Sequence, residues 1–303
     1  MESIVKVQDL KKYFGNIKAV DGISFEVKKG EIFGLIGPDG AGKTTTLRIL
    51  TGLLNINSGE VQVAGFYLPQ DSEKVKENIG YMPQKFSLYN DLTVKENISF
   101  FAEIFEIDKK ILMERMEPLL EMTRLHPFSD RLTGNLSGGM KQKLALMCTL
   151  IHRPKILILD EPTIGVDPVS RREFWEILQN IVAEGITVIL STPYMDEAEW
   201  CTHIGLIFKG KILQIDTPKN LKKQFPFNVF EIELKNNREK VIEKINNIKE
   251  IVDAKILGKK IRVITKIDEI VFNLKKDFYD AIELKKVEPV IEDIFITKIK
   301  TGH

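Results

Sequence analysis

An α/β fold, a mostly parallel sheet wrapped by helices and followed by a small α+β domain, is predicted by three features of the sequence. Short apolar runs bounded by turn signals, EIFGLIG (31–37), KILILDEP (155–162) and ITVILST (186–192), recur between amphipathic helical stretches. A glycine-rich run from Gly37 to Thr44 follows the first of them directly. Beyond the mid-210s the pattern changes to further short strands separated by helical segments.

In chain order, ISFEV (23–27) alternates and reads as a half-exposed strand, whereas the three apolar runs are continuous, as in strands buried on both faces. Between Asn90 and Thr133 apolar residues fall at helical intervals with no strand-like run, which predicts a helical subdomain over about 90–150. HIGLIFKGKILQID (203–216) reads as a hairpin about Lys209-Gly210 that closes a first domain at 1–216. A linker is expected at 217–227. Within 228–303, FEIEL, a helix near Glu239–Ile248, AKIL, KIRVIT, a helix near Asp268–Phe278 and IELKKV give the order β-α-β-β-α-β of a ferredoxin-like unit. The terminal IEDIFITKIK adds one more helix.

Composition narrows the function classes. The 303 residues are 43% hydrophobic and 29% charged with a net charge of +1, so a sizeable core forms and no global field steers the chain onto nucleic acid or an anionic membrane. Charge divides mildly, −3 over 1–220 and +4 over 221–303. The Lys-rich stretches in 219–303 read as solvated faces, with no aromatic interleaving, so no nucleic-acid partner is expected. Cys148 and Cys201, without CxxC spacing, build neither a disulfide framework nor a zinc site and read as reduced cytosolic thiols. No signal-peptide core and no membrane-length apolar run is found, so any membrane role is expected to come from another chain.

Three motifs carry chemistry. Gly37-Pro38-Asp39-Gly40-Ala41-Gly42-Lys43-Thr44 matches GxxxxGK[ST] between a buried strand and a helix, the setting of a phosphate loop. Backbone N–H groups converge there on phosphate oxygens, Lys43 supplies a point charge and Thr44 a magnesium ligand. Asp160 and Glu161 end a hydrophobic strand, where Asp160 can orient hydrated magnesium and Glu161 can polarise an attacking water. Ser137-Gly138-Gly139 opens a helix, with Ser137 as a natural N-cap and two glycines leaving the N-terminus open to an anion.

Together these residues resemble the ATP-binding subunit of an ABC transporter, with a Walker A loop at 37–44, a signature at 136–140 and a Walker B strand at 156–161. The resemblance covers residues 1–216 almost continuously. It implies that Phe14 stacks on adenine, that Thr45 joins the loop in binding ATP, that Gln84 in YMPQ is the Q-loop ligand beside Thr44 and Asp160, and that Asp167 belongs to the D-loop. It implies MgATP as substrate, and a head-to-tail dimer in which ATP lies between one cassette's Walker A and the other's signature. GVDPVSRREFWEIL, STPYMDEAE and EPVIEDIFI are similar to the ABC-2 export branch with its daunorubicin-resistance-type ATPases. That implies membrane permease subunits as partners and a peripheral place on the cytoplasmic face of the membrane.

Departures from the family pattern matter as much. Pro193 stands where the family has a histidine that contacts the γ-phosphate, and proline offers neither an N–H nor a basic nitrogen. His203 is too far along the chain to substitute. Asp39, often asparagine in the family, adds negative charge near phosphates. A heteromeric pair with a histidine-bearing cassette is therefore expected rather than a homodimer, and the rival reading is a regulatory nucleotide-binding subunit with low turnover. Phe86, Leu88 and Tyr89 read equally as a socket for a permease helix or as core. A soluble ABC protein acting on ribosomes or DNA usually carries two cassettes or long coiled coils, which this sequence lacks.

Overall fold

The computed structural model describes residues 2–85, 87–234, 238–269, 271 and 281–302. The chain divides into two compact units, Met1–Ile215 and Asp216–His303.

The first unit opens with two long antiparallel strands, β1 (Ser3–Phe14) and β2 (Ile17–Lys28), paired from Ser3↔Lys28 to Phe14↔Ile17. The alternating ISFEV run is thus the C-terminal part of a strand more than twice its length. β3 (Ile32–Ile36), buried at every residue, leads through the phosphate loop into α1 (Lys43–Leu50). Next come β4 (Ser58–Val63), β5 (Phe66–Leu68), α2 (Ser72–Asn78) and β6 (Ile79–Met82). The helical subdomain holds α3 (Val94–Ile104), α4 (Lys109–Thr123) and α5 (Gly138–Leu150), whose apolar faces share Ile98, Leu120, Leu144 and Met147. Thr93 and Glu96 form a capping box that starts α3, and Asp108 caps α4. β7 (Ile156–Asp160), α6 (Pro168–Ala183), β8 (Thr187–Thr192), β9 (His203–Phe208) and β10 (Lys211–Asp216) complete the unit.

Two sheets result, β2-β1-β4-β5 and β10-β9-β3-β8-β7-β6. Strands β9, β3, β8, β7 and β6 are parallel neighbours, so their C-terminal ends share one edge. Every residue of β3, β7 and β8 is buried, as continuous apolar runs require. Lys209 (φ 48°) and Gly210 (φ 76°) both take left-handed backbone in the β9–β10 turn, the conformation that matches strand twist.

In the second unit α7 (Pro218–Lys223), capped by Thr217, occupies part of the stretch read as linker. It is followed by β11 (Asn228–Leu234), α8 (Arg238–Asn246), β12 (Ile251–Leu257), β13 (Lys260–Thr265), β14 (Ala281–Val287) and α9 (Ile291–Thr301). The antiparallel order β12-β13-β11-β14 is that of a ferredoxin-like sheet. The expected helix near Asp268–Phe278 falls largely outside the described residues. Arg262 on β13 ties α9 to this sheet through Asp293 (2.7 Å) and also holds Glu231 on β11 (2.9 Å).

Candidate functional site

Register across the parallel sheet brings the motifs together. Ile36 pairs with Thr192, Asp160 with Ser191, and Met82 with Leu159, so the phosphate loop, the acidic strand end, Gln84 and Pro193 all follow the same sheet edge. This is where an open parallel sheet places its ligand crevice. A cavity of about 600 Å³ opens here, lined by Asp39, Gly40, Gly42, Lys43, Thr44 and Thr45 and also by Gln84, Glu161 and Phe14. Phe14 is 48% exposed, which leaves its ring available to a planar group.

Gly37, Pro38 and Ala41 shape the loop from behind. The Gly37 N–H donates to the Thr192 carbonyl (3.3 Å), and Ala41 N–H donates to the Pro38 carbonyl (3.2 Å). Gly42 has φ 107°, and a Cβ there would lie 2.4 Å from the Ala19 carbonyl oxygen, so only glycine lets the loop turn into α1.

Lys43 is buried and donates to the Gly37 (2.8 Å) and Pro38 (3.0 Å) carbonyls while pairing with Glu161 Oε1 at 3.0 Å. Glu161 Oε2 accepts from Gln84 Nε2 at 2.8 Å. Thr44 Oγ1 donates to Asp160 Oδ1 (3.0 Å), which also accepts from Ser191 Oγ (2.6 Å). Asp160 Oδ2 is buried with no hydrogen-bond partner, an acceptor aimed at nothing in the protein. A hard cation with its water shell suits that oxygen, with the Thr44 hydroxyl and the Gln84 side chain as neighbouring oxygen donors, so the residues present fit magnesium. The Glu161 N–H donates to Ser191 through both its Oγ (3.0 Å) and its carbonyl (3.1 Å). These bonds hold Glu161 at φ 51°, a left-handed backbone that costs a non-glycine residue about 1–3 kcal/mol.

Ser137, Gly138, Gly139 and Asp167 do not line this cavity, and Gly139 lies against Val166 and Ser170, which flank Asp167. Ser137 Oγ accepts from the Met140 N–H (3.3 Å) at the start of α5, and Asp167 Oδ1 accepts from the Val169 and Ser170 N–H groups at the start of α6. Hydrogen bonds from Ser170 hold the Asp167 carboxyl below the usual aspartate range. His203 is removed as a substitute for the switch residue. It opens β9, at the opposite end of the sheet from the phosphate loop, and bonds Glu31 through Nδ1 (2.7 Å). Leu88 packs against the helical core, while Tyr89 is 45% exposed and meets Phe100 edge-on; Phe86 lies outside the described residues. Sequence reasoning missed Ser191, Lys18 and Lys209. The first is signalled only by a Ser-Thr pair ending an apolar strand, and the two lysines line the cavity from the start of β2 and from the β9–β10 turn.

The sequence profile described as ABC transporter matches residues 20–164. The linearmycin resistance ATP-binding protein LnrL of Bacillus subtilis (strain 168) is 37% identical over 219 residues, which are 72% of this chain and 70% of LnrL. The chain belongs to the ABC transporter family of ATP-binding subunits. A probable multidrug ABC transporter ATP-binding protein, YbhF of Escherichia coli (strain K12), is 45% identical over 74% of the chain, and the matched part spans 39% of YbhF. Among solved structures, an ATP-binding subunit of an ABC transporter superposes with TM-score 0.66 at 28% identity, covering 74% of this chain and 93% of that one. The dimeric bacterial cassette MJ0796 does so with TM-score 0.63 at 26% identity, covering 70% and 98%. In this ABC cassette Pro193 is half-buried and Asp39 is exposed at the rim of the nucleotide-sized cavity. Among the described residues no helix is long and apolar enough to cross a membrane.

Proposed function

We propose that the chain is the ATP-hydrolysing subunit of an ABC-2-type exporter, similar to daunorubicin-resistance-type ATPases, working with separate membrane permease subunits from the cytoplasmic face. The observation that carries the reading is the meeting of Lys43, Thr44, Gln84, Asp160 and Glu161 at one sheet edge beside a cavity that the exposed Phe14 also lines. The export branch is supported by the GVDPVSRREFWEIL and STPYMDEAE segments and by relatives named for linearmycin resistance and Nod factor export.

In this reading Phe14 stacks on adenine, and the N–H groups of 39–45 with Lys43 hold the phosphates. Glu161 takes the proton of a water whose oxygen forms a bond to the γ-phosphorus as the bond to the bridging oxygen breaks, leaving ADP and phosphate. Magnesium, held by Thr44, Gln84 and Asp160, would supply positive charge at the β- and γ-phosphates. The Lys43–Glu161 pair joins the phosphate clamp to the base, and a phosphate taking over Lys43 frees Glu161 for the water. Ser137, Gly138, Gly139 and Asp167 face the nucleotide of a second cassette, and a heteromeric pair is favoured because a homodimer would carry Pro193 in both sites.

Pro193 specifically favours a second reading, a regulatory subunit with low turnover whose signature completes a partner's site. The discriminating experiment is Glu161→Gln, which keeps shape and hydrogen bonding but removes the base. ATP is expected to bind with turnover reduced at least about a hundredfold. Wild-type turnover in the variant would remove Glu161 from the chemistry, and a wild type that binds ATP without hydrolysing it would favour the regulatory reading.

A further inference from the structure

Behind the edge that carries Glu161 and Pro193 lies a second carboxylate that the hydrolytic chemistry does not use. Glu197, on the 3₁₀ turn Met195–Trp200, is only 2% exposed. Thr163 Oγ1 donates to its Oε1 at 2.7 Å, and Thr192 Oγ1 donates to its Oε2 at 2.5 Å. Arg171, from the first turn of α6, brings Nε to 3.9 Å of Oε1, bonds Asp196 at 3.1 Å and lies over the Tyr194 ring. The Tyr194 N–H donates to the same Thr192 hydroxyl at 3.0 Å.

Removing a carboxylate from water costs several kcal/mol unless its oxygens are met, so an apolar residue would be the simpler occupant of this position. What the carboxylate provides is two acceptor oxygens, one spent on Thr163 in the turn after β7 and the other on Thr192, the last residue of β8. Thr163 lies two residues after Glu161, in the turn closed by the bonds of Ile164 N–H to Glu161 O (3.3 Å) and Val166 N–H to Thr163 O (3.2 Å), which runs into Asp167. Thr192 lies one residue before Pro193, which has no N–H of its own with which to anchor the segment. Glu161 sits in a strained backbone region, which persists only where the surroundings over-determine it. Ser191 restrains it from its amide side, and the Thr163–Glu197 bond restrains the turn that follows.

We propose that Glu197 is a positioning residue, which joins the loop after β7 to the segment after β8 so that Glu161, Pro193 and Asp167 are set relative to one another as a unit. Its functional side rests on the hydrolytic role proposed for Glu161; the linkage itself does not. Neither the turn after β7 nor the end of β8 with the segment that follows it is then free to adjust alone, and loss of either hydroxyl bond is transmitted to the other.

The test is hydrogen exchange on the full chain with Thr163→Val and Thr192→Val, near-isosteric changes that each remove one hydroxyl. Thr163→Val is expected to speed exchange in 192–195 by about fivefold, and Thr192→Val to do the same in 161–166, as loss of one hydrogen bond of ordinary strength implies. Glu197→Gln, whose amide nitrogen cannot accept, is expected to lower kcat about tenfold while the MgATP Kd measured by calorimetry stays within about twofold. A merely structural role would lower folded fraction, kcat and binding together. If each valine variant alters exchange only in its own segment, or if Glu197→Gln turns over at the wild-type rate in an active protein, the proposal is overturned. Equal MgATP affinity in Lys43→Ala would instead strike the nucleotide reading, and the exchange result would still decide the linkage.

Discussion

Lys43 donates to the Gly37 and Pro38 carbonyls and pairs with Glu161, so a phosphate entering the cavity must replace contacts that already exist. Truncation leaves Glu161 buried without its cation and also removes the charge a phosphate would meet. Pro193 is the other residue on which the proposed activity turns. A single missing transition-state donor costs about 10²–10³ in rate, so the isolated wild type is expected to be a slow ATPase and Pro193→His a faster one. Steady-state phosphate release checks this. No gain in Pro193→His would mean that the backbone, or a group held through Thr192, already makes that contact.

Helices α5 and α6 meet at two levels. A Cβ on Gly139 would lie 2.4 Å from the Ser170 Cβ, and one helical turn further Lys143 on α5 pairs with Glu173 on α6, which Arg124 also reaches at 3.1 Å. Gly139→Ala is therefore expected to lose about 1–3 kcal/mol by overpacking despite alanine's better helix propensity, with Ser170→Gly recovering part of it in a double-mutant cycle read by thermal unfolding. Lys143 leads the groups that hold the Glu173 carboxyl below its ordinary value of 4.5. A depressed folded-state value stabilises above the unfolded value and is lost as pH falls through the folded one. The stability advantage of wild type over Lys143→Met is thus expected to be full at neutral pH and to narrow as pH drops below about 4.5, checked by urea unfolding at several pH values. Elements with a local signature were legible in the sequence: the phosphate loop between strand and helix, the fully buried β3, β7 and β8, and the Lys209-Gly210 turn. The sheet β2-β1-β4-β5 was visible only as ISFEV, because β1 breaks its alternation with register shifts around Leu10 and with Asp9 at φ 44°. Ser191 and Glu197 escaped for another reason. Their partners Asp160 and Thr163 lie 31 and 34 residues away, and nothing in local spacing announces a bond across the sheet edge.

On the scale of the whole molecule, the nucleotide cavity and the Ser137–Gly139 helix start belong to one unit but not to one pocket, which is what a cassette that completes its site with a second one requires. Ser137→Arg places bulk and charge where a partner's γ-phosphate is proposed to sit. Co-expressed with a histidine-bearing partner cassette, the variant is expected to lose most ATPase activity of the mixed complex while its own MgATP affinity is kept. Full activity, or purification of the wild type only as an active homodimer, would remove the heteromeric proposal. All of this depends on MgATP binding through the phosphate loop, and calorimetric titration of the full chain with MgATP, wild type against Lys43→Ala, tests that most directly. Loss of a charge-assisted contact of about 1.5–3 kcal/mol predicts an affinity at least about tenfold weaker in the variant. Equal affinity in the two proteins would contradict it.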